Sequence, residues 1–288
     1  MMENQGAFSV NEMCRVLKVR RSGFYAFLQR PRSLHALTDE KLKKQIRHVF
    51  EASRCLYGSP RIYRELLSLG IACSEKRIAR LMREMGLGVR VRRRFVRTTD
   101  SRHSYPVASN RLNRQYQVDQ IGGLDQAWAG DITYIPTAQG WLYLAVVLDL
   151  KSRRVIGWSM EETLEQSLVQ DALKMATSCR LGSGQAKAEL LFHSDRGSQY
   201  AGHRFQEQLS RARLTGSMSR KGNCWDNAPV ESFFATLKKE LVHREKYATR
   251  EQAKTSLFNY IEVYYNRMRK HSTLGYLSPV QYEQNSLI

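Results

Sequence analysis

The sequence predicts an α/β protein in which helices pack on a mixed β-sheet, preceded by small all-helical modules of helix-turn-helix type. Three observations carry this reading. Up to Gly86, apolar residues recur at the three- and four-residue spacing of amphipathic helices. From Gly130 onward, apolar runs of strand length alternate with helical stretches in the order βββ-α-β-α-β-α. Charge divides the chain in the same way: residues 1–120 hold 25 Lys and Arg against 10 Asp and Glu, whereas residues 121–288 hold 21 against 17.

The 288 residues have room for one sizeable core and one or two smaller modules. A formal net charge of +19, concentrated in the front half, reads as a polyanion-binding arm on a packed, nearly neutral catalytic domain. Solvated surface charge, or a ribosomal or membrane-surface role, is the plainer alternative. The longest unbroken apolar run covers residues 141–148, too short for a membrane span. Residues 1–10 lack the basic start and apolar block of a signal peptide. The five cysteines (Cys14, Cys55, Cys73, Cys179 and Cys224) are scattered without a C-x-x-C pair. They predict a reducing, cytoplasmic setting and argue against a zinc site or a disulfide frame.

Ser9 followed by Glu12 is a capping-box pattern, opening the first of two short helices over residues 7–30 that are compatible with a helix-turn-helix. Thr38 is placed to cap a helix over 39–52 with Leu42, Ile46, Val49 and Phe50 on its apolar side. Pro60 suits the first turn of the next helix, which buries Ile62, Leu66 and Leu67. Ser74 caps a helix over 75–85, with Ile78, Leu81, Met82 and Met85 on one face and Arg77, Arg80 and Arg83 beside it. A capped basic helix after a tight turn is what entry into the major groove of double-stranded DNA needs; a three-helix bundle with a charged exterior is the alternative. Arg90, Arg92, Arg93, Arg94 and Arg97 follow in a linker read as tracking phosphates, because the guanidinium fork matches phosphate oxygens. An unstructured charged linker is the competing reading.

Strands are predicted over 130–136, 141–150 and 155–159, joined by short turns as an antiparallel meander. A helix over 164–177, a strand over 188–192, a helix over 202–212, a strand over 214–218 and a helix carrying Glu231 complete the pattern. The tail reads as one helix over 249–267. The expected segments are thus 1–36, 37–95, a basic linker 96–123, a catalytic domain 124–245 and a helical extension 246–288.

Three acids stand where this order can gather them. Asp131 opens a strand-like run, Asp195 lies in a polar turn after Leu190-Leu191-Phe192, and Glu231 sits in the first turn of a helix that Asp226 or Asn227 can cap. Between Asp195 and Glu231 lie 35 residues. Cleaving a phosphodiester builds charge on the attacking and leaving oxygens, and two Mg²⁺ ions about 4 Å apart can stabilise both. Magnesium takes oxygen ligands and keeps several waters, so two or three carboxylates suffice. On this reading Asp131 bridges the ions and Asp195 and Glu231 each hold an outer side, with Mn²⁺ able to substitute. Singly, each acid has a plainer role as a turn residue, a strand-end cap or a partner of the helix dipole. Asp149, inside an apolar strand, reads as structural. Lys238 follows Glu231 by seven residues, on the same helical face, where it can grip a DNA phosphate; an ordinary surface lysine is the equal alternative. Residues 219–223, with Lys221, read as a mobile basic loop, Asn227 joins the expected DNA contacts, and Trp225 reads as packing rather than base stacking.

At these residues the chain resembles a known family. Trp128-Ala129-Gly130-Asp131-Ile132-Thr133-Tyr134, His193-Ser194-Asp195-Arg196-Gly197-Ser198-Gln199-Tyr200 and Asp226-Asn227-Ala228-Pro229-Val230-Glu231-Ser232 are similar to the Asp–Asp–(35)–Glu signature of retroviral-integrase-like transposases. Tyr265-Asn266-Arg267-Met268-Arg269-Lys270-His271 with Pro279, and Tyr57-Gly58-Ser59-Pro60-Arg61-Ile62, resemble the downstream-frame (OrfB-type) product of the bacterial insertion-sequence family numbered three. The resemblance covers roughly residues 40–285. It implies an RNase H-like catalytic fold and a bacterial, nucleoid-associated protein. It also implies Mg²⁺-dependent cleavage at terminal inverted repeats, attack by the freed 3′-hydroxyl on another strand, and a homo-oligomer on DNA. Lys238 corresponds to the basic residue that the family carries after its Glu. Two departures stand out: no His/His/Cys/Cys zinc module is spaced in front, and no heptad run is visible. The chain is therefore expected to be the downstream part of a frameshift pair, fused to or working with an upstream-frame product.

Overall fold

The computed structural model describes residues 1–31, 33–89, 105–182, 186, 189–220 and 224–286. The chain divides into two compact units, Met1–Gly88 and Val89–Ile288.

The first unit is all-helical after a 3₁₀ turn at Met2–Asn4: α1 Val10–Val16, α2 Arg21–Gln29, α3 Leu34–Ala52, α4 Ser59–Ser68 and α5 Glu75–Glu84. The capping box forms as its sequence requires, Ser9 accepting from the Glu12 N–H while the Glu12 carboxylate accepts from the Ser9 N–H at 3.1 Å. Helix α3 starts earlier than Thr38 suggests. Ser33 is its cap, accepting from the Ala36 N–H at 3.1 Å, and the Thr38 hydroxyl instead donates back to the His35 carbonyl. The expected boundary at 36/37 therefore falls inside a helix. α3, α4 and α5 pack together around Leu42, Ile46, Phe50, Ile62, Leu66, Ile78 and Leu81, all buried. Leu67, expected inside, is 45% exposed.

The second unit is built on a five-stranded sheet in the order β3-β2-β1-β4-β5: β1 Ala127–Thr137, β2 Gly140–Asp149, β3 Val155–Glu161, β4 Leu190–Ser194 and β5 Leu214–Met218. The first three strands form the antiparallel meander, and β4 and β5 run parallel to β1. This is the α/β, RNase H-like arrangement that the sequence resemblance implies. Helix α6, Gln166–Arg180, lies against β3 and β2, with α7 (Ser198–Ala201) and α8 (His203–Arg211) nearby. Gly157 permits that approach: a Cβ there would stand 2.2 Å from the Ala172 carbonyl oxygen of α6. Trp128, Val147, Ile156, Leu168, Leu173, Phe192, Tyr200 and Phe205 fill the space between sheet and helices.

Helix α9, Ala228–Leu237, packs on β1 and turns π-helical over Lys238–Val242. The sequence predicts one helix over 249–267, but α10, Arg250–Phe258, widens into a π-helical stretch, Asn259–Tyr265, before α11, Pro279–Ser286. The widened turns carry bonds spanning five residues, such as Asn266 N–H to the Ile261 carbonyl. They bring Asn266 to the sheet edge, where its side chain accepts from the Val155 N–H at 3.0 Å and donates to the Val155 carbonyl at 2.9 Å, as a neighbouring strand would. Residues 246–286 are thus pinned to the same compact unit as the sheet. No helix among the described residues is long and apolar enough to cross a membrane.

Candidate active site

Strands β1 and β4 run side by side with Ala129 opposite His193. Two residues further along each chain come Asp131 and Asp195, so parallel pairing brings both acids to the same level of the sheet. Asp131 is half-buried within β1, and its Oδ1 accepts from the Ile132 N–H at 2.8 Å. Asp195 lies just past the end of β4, and its Oδ1 accepts from the Gly197 N–H at 2.8 Å. A Cβ on Gly197 would sit 3.0 Å from that same oxygen, which favours glycine in this turn. Glu231 is exposed in the first turn of α9.

The charges of these acids converge on Asp131. Burial, then the neighbouring Asp195 charge, hold its carboxyl well above the usual range; Glu231 adds to the rise, and the Ile132 N–H and Lys238 oppose it. Glu231, exposed as a residue, is likewise pushed up, by the partial desolvation of its carboxyl and then by Asp195. Lys238, half-buried where α9 becomes π-helical, is pushed down by burial and drawn back by Asp131. Tyr200, buried beneath the acids, and Tyr134 both rise mainly through burial, with Asp131 and Asp195 adding to it. Among the described residues, no three His, Cys, Asp or Glu side chains are drawn together closely enough to hold a metal ion as they stand. The acids sense one another's charge, and their oxygens are the donor type that a hard divalent ion takes.

Several residues take roles that the sequence did not suggest. Asn227, expected to contact DNA, is buried, and its Nδ2 donates to the carbonyl of Gly130, directly before Asp131, at 3.3 Å. A group so placed ties α9 to β1 and cannot reach a nucleic-acid backbone. Neither Asp226 nor Asn227 caps α9 through its side chain. Asp226 is fully buried and accepts instead from Asn110, Arg114 and Arg220, with the Arg220 guanidinium foremost in holding its carboxyl far below the usual range. Trp225, expected to pack, is 67% exposed. His193, pushed down to about 4 by burial, sits neutral between the hydroxyls of Ser217 and Ser219 at 2.9 and 3.1 Å, linking β4 to β5. Asp149, by contrast, is structural as its place in an apolar strand suggests, accepting from the N–H groups of Asp125, Lys151 and Ser152.

Among the expected DNA contacts of the helical unit, Arg77 and Arg80 are engaged within the protein: both guanidinium groups pair with Asp39, at 2.6 and 2.7 Å. That bond set holds α5 to α3; Arg80 and Arg83 are both exposed, and of the three arginines Arg83 alone has no ion pair among the described residues. Arg90, Arg92, Arg93, Arg94 and Lys221 lie outside the described residues.

Family models match most of the chain: an HTH-like domain over residues 37–95, and integrase core domains over 124–224 and 231–287. The Escherichia coli (strain K12) transposase InsF for insertion sequence IS3A is 43% identical over 99% of this chain and 97% of its own length. The insertion element IS600 uncharacterized 31 kDa protein of Shigella sonnei is 40% identical over 94% of this chain and 97% of its own. Among solved structures, the catalytic domain of Mos1 mariner transposase aligns at 14% identity with a TM-score of 0.43, covering 55% of this chain and 85% of that one. By its 43% identity to the Escherichia coli transposase over nearly its whole length, the chain belongs to the IS3-type insertion-sequence transposases, polynucleotidyl transferases with an integrase core that act in DNA transposition.

Proposed function

We propose that the chain nicks double-stranded DNA at the terminal inverted repeats of its element and joins the freed 3′-hydroxyl to a second strand, with Asp131, Asp195 and Glu231 as ligands for Mg²⁺ or, in its place, Mn²⁺. The observation that carries this reading is the parallel register of β1 and β4, which sets Asp131 and Asp195 at one level of the sheet, with the charge of Glu231 adding to theirs at Asp131. Such a cluster is costly by itself, and a bound cation reverses the cost. Bound ions would supply activation of the attacking oxygen and relief of charge on the leaving one. The remaining tasks fall to the chain's own groups. The Ile132 and Gly197 N–H groups orient the two aspartates, and Asn227 sets the start of α9 against β1. Lys238 supplies a positive charge for a phosphate beside the acids. Arg83, Arg90, Arg92, Arg93, Arg94 and Lys221 are proposed phosphate contacts, with the protein acting as a homo-oligomer on DNA, alone or with the upstream-frame product.

The test uses the full chain, a duplex of the element's own end, and Mg²⁺ or Mn²⁺. Wild-type protein is expected to give nicked and then strand-joined products. Asp195→Asn is expected to lower nicking by more than the roughly 10–100-fold cost of losing a supporting group, with end binding unchanged in a mobility-shift assay. Equal loss of binding and nicking would contradict the ligand role.

A further inference from the structure

Trp225 has no part in the chemistry proposed above, yet its setting is unusual. The indole is 67% exposed and has no hydrogen-bond or ring partner among the described residues. The turn that displays it is firmly held. Trp225 belongs to a single 3₁₀ turn, Cys224–Asn227, that leads directly into α9 and Glu231. The residue after it, Asp226, is fully buried and accepts five hydrogen bonds: from Asn110 Nδ2 at 2.8 Å, Arg114 Nε at 2.9 Å, and the N, Nε and Nη2 of Arg220 at 2.9, 2.9 and 2.8 Å. Next comes Asn227, bonded to the carbonyl of Gly130 beside Asp131. The ring is therefore carried by a backbone anchored on the acid cluster, with little freedom to fold back into the protein.

The chemistry of its surroundings narrows the partner. Among the described residues near it in sequence, the exposed ones are Arg220, Glu231 and Ser232, all polar or charged. An aromatic ring with charged and polar chain neighbours does not supply by itself the contiguous apolar area of a protein-docking patch. It does suit a planar, polar-edged ring, and an aromatic face stacks on a nucleobase of any sequence. We propose that Trp225 is a stacking platform for one base taken out of the duplex beside the phosphate that is cut, an inference that rests on the function proposed above. Opening that pair frees the strand to bend toward Asp131 and Asp195, and stacking on the indole offsets the contacts the base gives up in the duplex.

The experiment uses the full chain with end duplexes carrying 5-iodouracil in place of the base on either side of the cut phosphate. Long-wavelength irradiation followed by mass spectrometry is expected to map a crosslink to Trp225. Trp225→Ala is expected to nick ends about fivefold to a hundredfold more slowly, while Trp225→Phe keeps most of the rate. A mismatch that pre-opens the base pair is expected to restore much of the alanine variant's activity, which a purely structural role for the ring would not produce. Circular dichroism and thermal melting of the alanine variant should match wild type, since the side chain is exposed. If wild-type protein and its Asp195→Asn variant behave as expected but Trp225→Ala nicks at the wild-type rate, or the crosslink maps elsewhere, the stacking role is overturned and the function proposed above stands. If wild-type protein nicks no end, the underlying reading fails first.

Discussion

Asn227 shows how the site depends on a side chain that touches no substrate. Its amide bonds the Gly130 carbonyl from 97 positions away and so couples the first turn of α9, with Glu231, to the strand that holds Asp131. Asn227→Ala is expected to slow end nicking by roughly 10–100-fold, as loss of a supporting contact behind a metal ligand does, while end binding in a mobility-shift assay is unchanged. Wild-type nicking in that variant would mean that α9 is positioned by its apolar face alone, through Val230, Phe233, Phe234 and Leu237. The three acids proposed as ligands can be picked out from the sequence, because each sits in a short stretch whose local pattern marks it. Asn227 and Asp226 were not: locally they look like helix caps, and their partners Gly130, Asn110 and Arg114 are distant in the chain. Sequence spacing reports on neighbours along a helix or strand, and it is silent about which buried amide reaches which carbonyl.

At the scale of elements, α3 and α5 are joined by Asp39, which accepts from Arg77 Nε and Arg80 Nη2 at 2.7 Å each. The Arg80 bond foremost, with Arg77 beside it, holds the Asp39 carboxyl down to about 2. A depressed folded-state value means that the unfolded chain binds the proton more tightly. The stabilisation is therefore complete above the ordinary Asp value of about 4 and is lost as pH falls through about 2. Thermal melting of wild-type protein between those limits should show falling stability, and Asp39→Asn should flatten that part of the dependence. An unchanged slope in the variant would show that the pair contributes nothing, as exposed ion pairs often do. Helix periodicity placed α3, α4 and α5 and most of their buried residues. It missed the Ser33 start, since by residue type Ser33 and Thr38 are equally good caps. The π-helical turns at Lys238–Val242 and Asn259–Tyr265 left no trace in a 3.6-residue pattern, because they arise from packing. Buried Tyr260, Tyr264 and Tyr265 lie in the second of these turns, and Glu240 of the first pairs with Arg269.

For the molecule as a whole, charge and chemistry are segregated along the chain. The front 120 residues hold 15 more basic than acidic side chains, and the remainder only 4 more. The proposed division is a basic arm that binds DNA regardless of sequence and a nearly neutral α/β unit that performs the chemistry. The α/β class and the meander were legible because strand-length apolar runs and turn residues alternate so regularly after Gly130. The parallel placement of β4 beside β1, which brings Asp195 level with Asp131, depends on long-range pairing that no local pattern encodes. The central claim is that Asp131, Asp195 and Glu231 act together as one divalent-cation site. Calorimetric titration of Mn²⁺ into the full-length protein addresses it without relying on turnover. Binding to wild-type protein is expected, weakened at least about tenfold in each of Asp131→Asn, Asp195→Asn and Glu231→Gln. Undiminished Mn²⁺ binding in any one of the three variants would contradict it.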